Sequence, residues 1–110
     1  MRAFHTDHVC LLPMFPVHTN IHRLYCDGIN GPTAVLLRYR ETSPIPPHVH
    51  ESCEHILVLC GAQEDTDGLI EASTLRVHPP GTVRRGTGFA GCIVLAIYQL
   101  QPRFLYRLIL

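Results

Sequence analysis

The chain has 110 residues, and its basic residues are all arginine, so that 9 Arg balance 9 Asp plus Glu. This zero net charge argues against a nucleic-acid-binding face. With 16% charged and 46% hydrophobic residues, the composition excludes a disordered chain, and we expect one globular domain over the whole length.

We expect neither a membrane span nor an export signal in this sequence. No apolar run approaches the roughly 20 residues that cross a bilayer, and Met1 to Phe15 lack the continuous apolar core of a signal peptide. The five cysteines are odd in number and form no C-x-x-C pair, which suits reduced thiols better than a disulfide framework. We therefore expect a cytoplasmic protein that does not contact a membrane.

Frequent breaks by 9 Pro and 8 Gly leave little room for helices. The pieces between them are rich in β-branched and large apolar residues, which is typical of strands. Several pieces are apolar on both alternating faces, so the sequence predicts an all-β sandwich or small closed barrel. In chain order, the predicted strands are Thr33–Arg40, His55–Cys60, Leu75–His78, Cys92–Leu100 and Phe104–Ile109.

The segment before the second of these strands places a carboxylate in an apolar setting. Alternation puts Glu54 on the same face as Ile56 and Val58, with His55 on the opposite face. An isolated buried charge is too costly to be stable. Glu54 therefore requires a cation or hydrogen-bond partners.

Two histidines lie just upstream of this carboxylate. Pro47 favours extended backbone, so His48 and His50 are expected to project from the same side of a strand. If residues 51–53 turn the chain, the following strand returns beside the first and brings Glu54 to both imidazoles. Two histidines and one carboxylate suit Fe(II), and Zn, Mn or Ni also accept this set. The alternative is a pair of exposed strand histidines.

The wider spacing, His48-x-His50-x3-Glu54-x6-Gly61, resembles the first conserved motif of the cupin superfamily. The run Pro79-Pro80-Gly81 resembles the start of the second motif. With the flanking strands, residues 22–106 look like the ChrR-like branch of that superfamily. The resemblance implies a small antiparallel β-barrel, or jelly roll, with a metal site formed inside it by His48, His50 and Glu54.

Three positions depart from the cupin pattern. Thr42 and Ser73 stand where the motifs usually have glycine, which affects turn geometry rather than chemistry. Arg84 stands where the second motif would supply its metal-binding histidine, and arginine cannot ligate a metal.

Two interpretations of Arg84 remain open. In the first, three residues hold the metal, and Arg84 or Arg85 binds an anionic group of a small ligand at the mouth. In the second, Arg84 pairs with Glu54 in place of a cation and leaves a metal-free barrel. His78 could substitute as a ligand, but its position at the lip of a turn favours exposure to solvent. We therefore keep His78 outside the metal set and treat it as a candidate ligand-binding residue.

The resemblance to ChrR-like cupins implies a sensory module or an enzyme. We expect a stand-alone barrel that binds a divalent metal and a small molecule. The alternative is a non-haem Fe(II) dioxygenase acting on a small carbonyl or phenolic compound, and a third possibility is a degenerate metal-free barrel. The H-x3-C-x2-C zinc motif of the full-length regulators is absent, so no sigma factor is expected by that route. The apolar end Phe104 to Leu110 predicts a homodimer.

Overall fold

Ten β-strands make up the fold in the computed structural model, which describes residues 19–28, 31–100 and the backbone of 103–104. No helix in these ranges is long and apolar enough to span a bilayer. The strands are β1 (Thr19–Cys26), β2 (Thr33–Tyr39), β3 (Ser43–Val49), β4 (Glu54–Cys60), β5 (Ala62–Asp65), β6 (Gly68–Glu71), β7 (Leu75–His78), β8 (Val83–Gly88), β9 (Ile93–Tyr98) and β10 (Arg103–Phe104).

The strands form two five-stranded antiparallel sheets. The first sheet has the order β1-β2-β9-β4-β7, and the second has the order β10-β3-β8-β5-β6. Strands that follow one another along the chain often lie in different sheets, so the connections cross between them, as in a jelly roll. This architecture confirms the predicted all-β barrel or sandwich.

The core fills the space between the two sheets, and β4 shows why. Along β4, Glu54, Ile56 and Val58 are buried while His55 and Leu59 are exposed. The predicted alternation is therefore confirmed for these residues. The core is completed by inward-facing side chains of both sheets, namely Val35, Leu37, Tyr39, Ile45, Ile70, Cys92, Val94, Ala96 and Tyr98.

The predicted pairing of the strands around the motif is wrong. We expected β4 to return beside β3, but β4 pairs with β7 and β9 in the first sheet, whereas β3 pairs with β8 and β10 in the second. Residues 50–53 therefore cross from one sheet to the other. Glu54 consequently faces the end of β3 across the interior of the barrel rather than along a shared ladder.

Both positions that depart from the cupin glycines are described by the structure. Ser73 has a φ of 73°, so the backbone at this position does adopt the left-handed conformation that glycine favours. The Thr42 hydroxyl accepts a hydrogen bond of 2.9 Å from the Ala90 N–H. Thr42 thus joins the turn before β3 to the turn before β9.

A glycine also sets how closely the two sheets approach. A Cβ on Gly88 would lie 2.5 Å from Cδ1 of Tyr39. The Tyr39 ring, which is 1% exposed, therefore occupies the space above β8 that a side chain would fill. This contact brings the first sheet against the second beside the interior cavity.

The expectation that all five cysteines are reduced is wrong for Cys26, which is disulfide-bonded. Three others, Cys53, Cys60 and Cys92, are free thiols. The predicted last strand is described only at β10, and the rest of the Phe104–Ile109 segment lies outside the described residues.

Candidate metal centre

Three buried residues from different parts of the chain converge inside the barrel. One ligand atom each of His50, Glu54 and His78 lies within 4.8 Å of the other two. Glu54 Oε1 is 3.1 Å from His50 Nε2 and 3.2 Å from His78 Nδ1. The two imidazoles are nearly parallel, with ring centroids 5.0 Å apart. The carboxylate therefore sits between two ring nitrogens, an arrangement that suits a divalent cation.

Each member of the cluster is placed by its strand. Glu54 and His78 are direct cross-strand partners in the β4–β7 ladder, so their inward side chains are neighbours. His50 follows the last residue of β3, and its backbone N–H donates to Thr82 O at 3.0 Å while its carbonyl accepts from the Gly81 N–H at 2.8 Å. These two bonds hold the His50 backbone against the turn of the second motif.

The protonation state of the His50 imidazole suits a metal ligand. Burial lowers the pKa of its imidazole to about 4, although Glu54 acts in the opposite direction. The ring is therefore neutral near pH 7 and has a lone pair available for a cation. Its Nε2 atom is enclosed and has no hydrogen-bond partner of acceptable geometry. A buried nitrogen of this kind normally has a partner, and a cation between His50, Glu54 and His78 would supply one.

His48 lies beside the cluster but is not one of its three members. Its ring centroid is 4.8 Å from that of His50, with the planes nearly perpendicular. His48 Nδ1 is 2.9 Å from Pro46 O, so Nδ1 carries the proton and donates it to the carbonyl. This leaves Nε2 with its lone pair, as in metal-binding histidines oriented by a backbone carbonyl.

His78 does not face solvent, so that expectation is wrong. Its side chain is 3% exposed because it ends a strand on which the inward positions are polar and the outward Leu75 and Val77 are exposed. This inverted alternation was a sequence signal that could have indicated His78. Its Nε2 lies 3.3 Å from Asp65 Oδ2, a second buried carboxylate that the sequence analysis missed.

Asp65 is in turn held by an arginine. Arg76 Nη1 lies 3.1 Å from Asp65 Oδ2 and 3.3 Å from Oδ1. The same nitrogen is 3.8 Å from Asp67. An alternating chain of acidic and basic groups thus runs outward from Glu54 through His78, Asp65 and Arg76 to Asp67.

Arg84 pairs with Asp67 rather than with Glu54. Its Nη1 is 2.9 Å from Asp67 Oδ2, so the ion pair expected with Glu54 in a metal-free barrel is not the one observed. Arg84 Nε is enclosed without a hydrogen-bond partner. Arg85 is exposed on the same strand and lines an outer groove of about 510 Å³ rather than the interior.

A small cavity adjoins the metal centre. Its volume is about 40 Å³, room on the order of one to three water molecules. Its polar lining comes from His48, Glu54 and Gln63, with the rings of Tyr39 and Tyr98. Burial raises the pKa of both tyrosines above the ordinary value, and the Glu54 charge adds to the effect. Both phenols are therefore protonated at neutral pH.

Solved structures of other proteins superpose on this chain and agree with its fold. An RmlC-like cupin from Ralstonia eutropha JMP134 superposes with a TM-score of 0.71 at 16% identity, covering 83% of this chain and 62% of that chain. A proposed acetylacetone dioxygenase from Methylibium petroleiphilum PM1 gives 0.73 at 12% identity, covering 97% and 87%. At these identities the likeness establishes the fold alone.

The anti-sigma factor ChrR of Rhodobacter sphaeroides, in its complex with SigE, superposes with a TM-score of 0.64 at 25% identity. The alignment covers 74% of this chain and 44% of that chain. This chain thus spans less than two thirds of the first three similar structures, at 62%, 60% and 44%. No curated protein matches it.

The family comparison covers most of the chain. Residues 1–101 match the family model described as the ChrR cupin-like domain. The match agrees with the two antiparallel sheets and with the histidine and glutamate cluster between them. The chain belongs to the ChrR cupin-like domain family.

Proposed function

We propose that this protein binds a divalent metal inside the barrel through His50, Glu54 and His78, and uses that centre to bind a small molecule. The observation that carries the proposal is the convergence of three buried ligand atoms within 4.8 Å. A buried carboxylate between two imidazoles needs a positive partner. A cation at this point satisfies Glu54 and the unpartnered Nε2 of His50 together.

His48, which the sequence predicted as a ligand together with His50 and Glu54, is a proposed additional ligand. Its Nδ1 proton is committed to the Pro46 carbonyl, which supports Nε2 as the donor atom. The proposal thus differs from the sequence prediction in the role of two histidines. His78 replaces the metal-binding histidine that the second motif lacks because Arg84 stands in its place. His48, next to His50, becomes an additional ligand. Fe(II), Zn, Mn and Ni all accept such a set.

A metal held by these residues would act as a Lewis acid toward a ligand oxygen. Residues of the chain would supply the other contacts with the ligand. Most of the cavity wall is apolar, and the enclosed Nε of Arg84 supports its proposed role toward an anionic ligand group. Since Arg85 lines the outer groove, a contact from Arg85 would be made outside the barrel.

The test is metal content after purification without a histidine tag. We expect about one equivalent in the wild type and a large loss in Glu54→Gln and His78→Ala. His55→Ala is the matched control, because His55 lies on the same strand as Glu54 but is exposed on the opposite face. A wild-type content below about a tenth of an equivalent, after incubation with each of the four metals, would contradict the proposal.

A second candidate function is oxygen-dependent cleavage of a small carbonyl or phenolic compound. It is supported by the ligand set, since two histidines and a carboxylate leave open positions in Fe(II) oxygenases. Oxygen uptake by Fe(II)-loaded protein with a panel of diketones and hydroxyaryl ketones tests it. Ligand-induced thermal stabilisation without oxygen consumption would favour a sensory binding module instead.

Homodimer formation is also a proposal. The outward face of the first sheet supports it, because β4, β7 and β9 expose large apolar side chains there, namely Leu59, Leu75, Val77 and Ile97. An apolar face of this kind is typical of an interface. Light scattering decides the matter, and a monomer at tens of micromolar, on the order of usual assay concentrations, would overturn the proposal.

A further inference from the structure

The interior cavity contains one polar group that nothing in the protein satisfies. Gln63, on β5, is 6% exposed, and its Oε1 atom is enclosed without a hydrogen-bond partner. Among the described residues that line this cavity, Gln63 alone has such an atom. A buried amide oxygen without a hydrogen-bond donor is unfavourable. The position of this oxygen in a cavity that Glu54 and His48 also line therefore points to a ligand that supplies the donor.

The fold aims Gln63 at this cavity. Its Cα partners are Ile70 on β6 and Gly88 on β8. Because Gly88 has no side chain and the Tyr39 ring packs over it, the side chain of Gln63 lies beside an aromatic wall rather than beside a polar neighbour. Tyr39 and Gln63 therefore bound the same small space from opposite sheets.

The residues that line the cavity determine the charge of the ligand group that can bind there. Apart from Glu54, His48 and Gln63, the lining is apolar or phenolic, as given by Val35, Leu37, Tyr39, Ile45, Ile56, Val94, Ala96 and Tyr98. A charged group would lose its hydration here without gaining an opposite charge, because the Glu54 carboxylate would already be paired with the metal of the proposed site. The entering group is therefore uncharged.

The shape and the acceptor together define the ligand class. We propose that the cavity binds an uncharged, hydroxyl-bearing end of a small molecule, and that Gln63 Oε1 accepts a hydrogen bond from that hydroxyl. The volume of about 40 Å³ limits the enclosed part to a few non-hydrogen atoms. An aromatic ring is too large for it. Gln63 is thus a specificity-determining residue, and this inference rests on the proposed function because the other end of the compound faces the metal centre.

The experiment compares two neutral probes of similar size, of which one carries a hydrogen-bond donor. Hydroxyacetone carries a hydroxyl, and butanone carries a methyl group in its place. Dissociation constants for both are measured by NMR titration of metal-loaded wild type and of Gln63→Met, which is close to isosteric but has no acceptor. Gln99→Met is the matched control, since Gln99 is exposed and remote from the cavity lining.

The wild type and Gln99→Met should prefer hydroxyacetone by roughly three- to tenfold, the range of one net hydrogen bond. Gln63→Met should lose that preference, and the Gln63 side-chain amide signals of the wild type should shift with hydroxyacetone only. If Gln63→Met does not fold, the shift of the Gln63 side-chain amide signals in the wild type still tests the inference, because a ligand that does not contact Gln63 would leave these signals unchanged.

Equal affinities of the wild type for the two probes, or an unchanged preference in Gln63→Met, would overturn the inference. Either result would leave the metal proposal standing, because metal content is measured separately on the same samples. Conversely, absence of bound metal would contradict the proposed function before any probe is added.

Discussion

Asp65 Oδ2 lies 3.3 Å from His78 Nε2, at the ring nitrogen opposite the one that faces Glu54. If Nδ1 of His78 binds the metal, Nε2 carries a proton and donates it to Asp65. A carboxylate behind a metal-binding histidine fixes the tautomer and the ring orientation. Asp65 is therefore expected to act as a positioning residue for His78, and Arg76 holds Asp65 in place.

Asp65→Asn should weaken metal binding by about 10- to 100-fold, the usual effect of losing such a partner. Chelator competition measures the affinity, and the nitrogen chemical shifts of His78 report its tautomer. Asp67→Asn is the control, because Asp67 lies two residues further along the chain and pairs with Arg84 at 2.9 Å and with Arg76 only at 3.8 Å. Equal losses in the two variants would show that the turn matters only for structure.

The buried His50 should make the metal-free protein sensitive to acid. Burial lowers its pKa in the folded state to about 4 from the ordinary 6.5, so between these values the unfolded chain binds more protons than the folded one. Stability is therefore complete above about pH 6.5 and is lost as the pH falls toward 4. Chemical unfolding of chelator-treated protein should give a free energy lower at pH 5 than at pH 7 by on the order of 2 kcal/mol. His50→Gln should flatten this dependence, and an unchanged slope would contradict the assignment.

Ser73→Gly should stabilise the protein. Ser73 adopts a φ of 73°, a conformation that costs a residue with a Cβ about 1 kcal/mol. After the added flexibility of the unfolded chain is subtracted, a gain of about 0.5 kcal/mol remains, which thermal unfolding can resolve. The neighbouring Ala72→Gly is the control and should destabilise, because Ala72 is not among the residues with positive φ. A loss of stability in Ser73→Gly would argue against the left-handed turn.

Gly88→Ala should destabilise the barrel by about 1–3 kcal/mol, the cost of overpacking a filled core. The added methyl would lie 2.5 Å from the buried Tyr39 ring, so the ring or the β8 backbone would have to shift. Tyr39→Leu in the same chain should recover part of the loss, since it removes the atoms that clash. If the two substitutions were additive in a double-mutant cycle, the predicted contact between Gly88 and Tyr39 would be absent.

Local sequence patterns determined much of this fold. Alternation along β4 predicted that Glu54 is buried with Ile56 and Val58, and the structure confirms it. The segments of β2, β4, β7 and β9 were also recognisable, because side-chain period and turn residues are properties of neighbouring positions, whereas β5, β6 and β8 were not among the predicted strands. The predicted β2 and β9 segments differ from the observed strands by a few terminal residues at most.

Contacts between residues that are far apart in the sequence were determined only by the tertiary structure. Nothing local to His78 reveals that it pairs with Glu54 across β4 and β7, or that Asp65 approaches its other nitrogen from the opposite sheet. The short spacing between His50 and Glu54 along the chain made their proximity predictable. Only the crossing of the chain between two sheets could add His78 to them, because cross-strand register depends on the packing of the whole barrel.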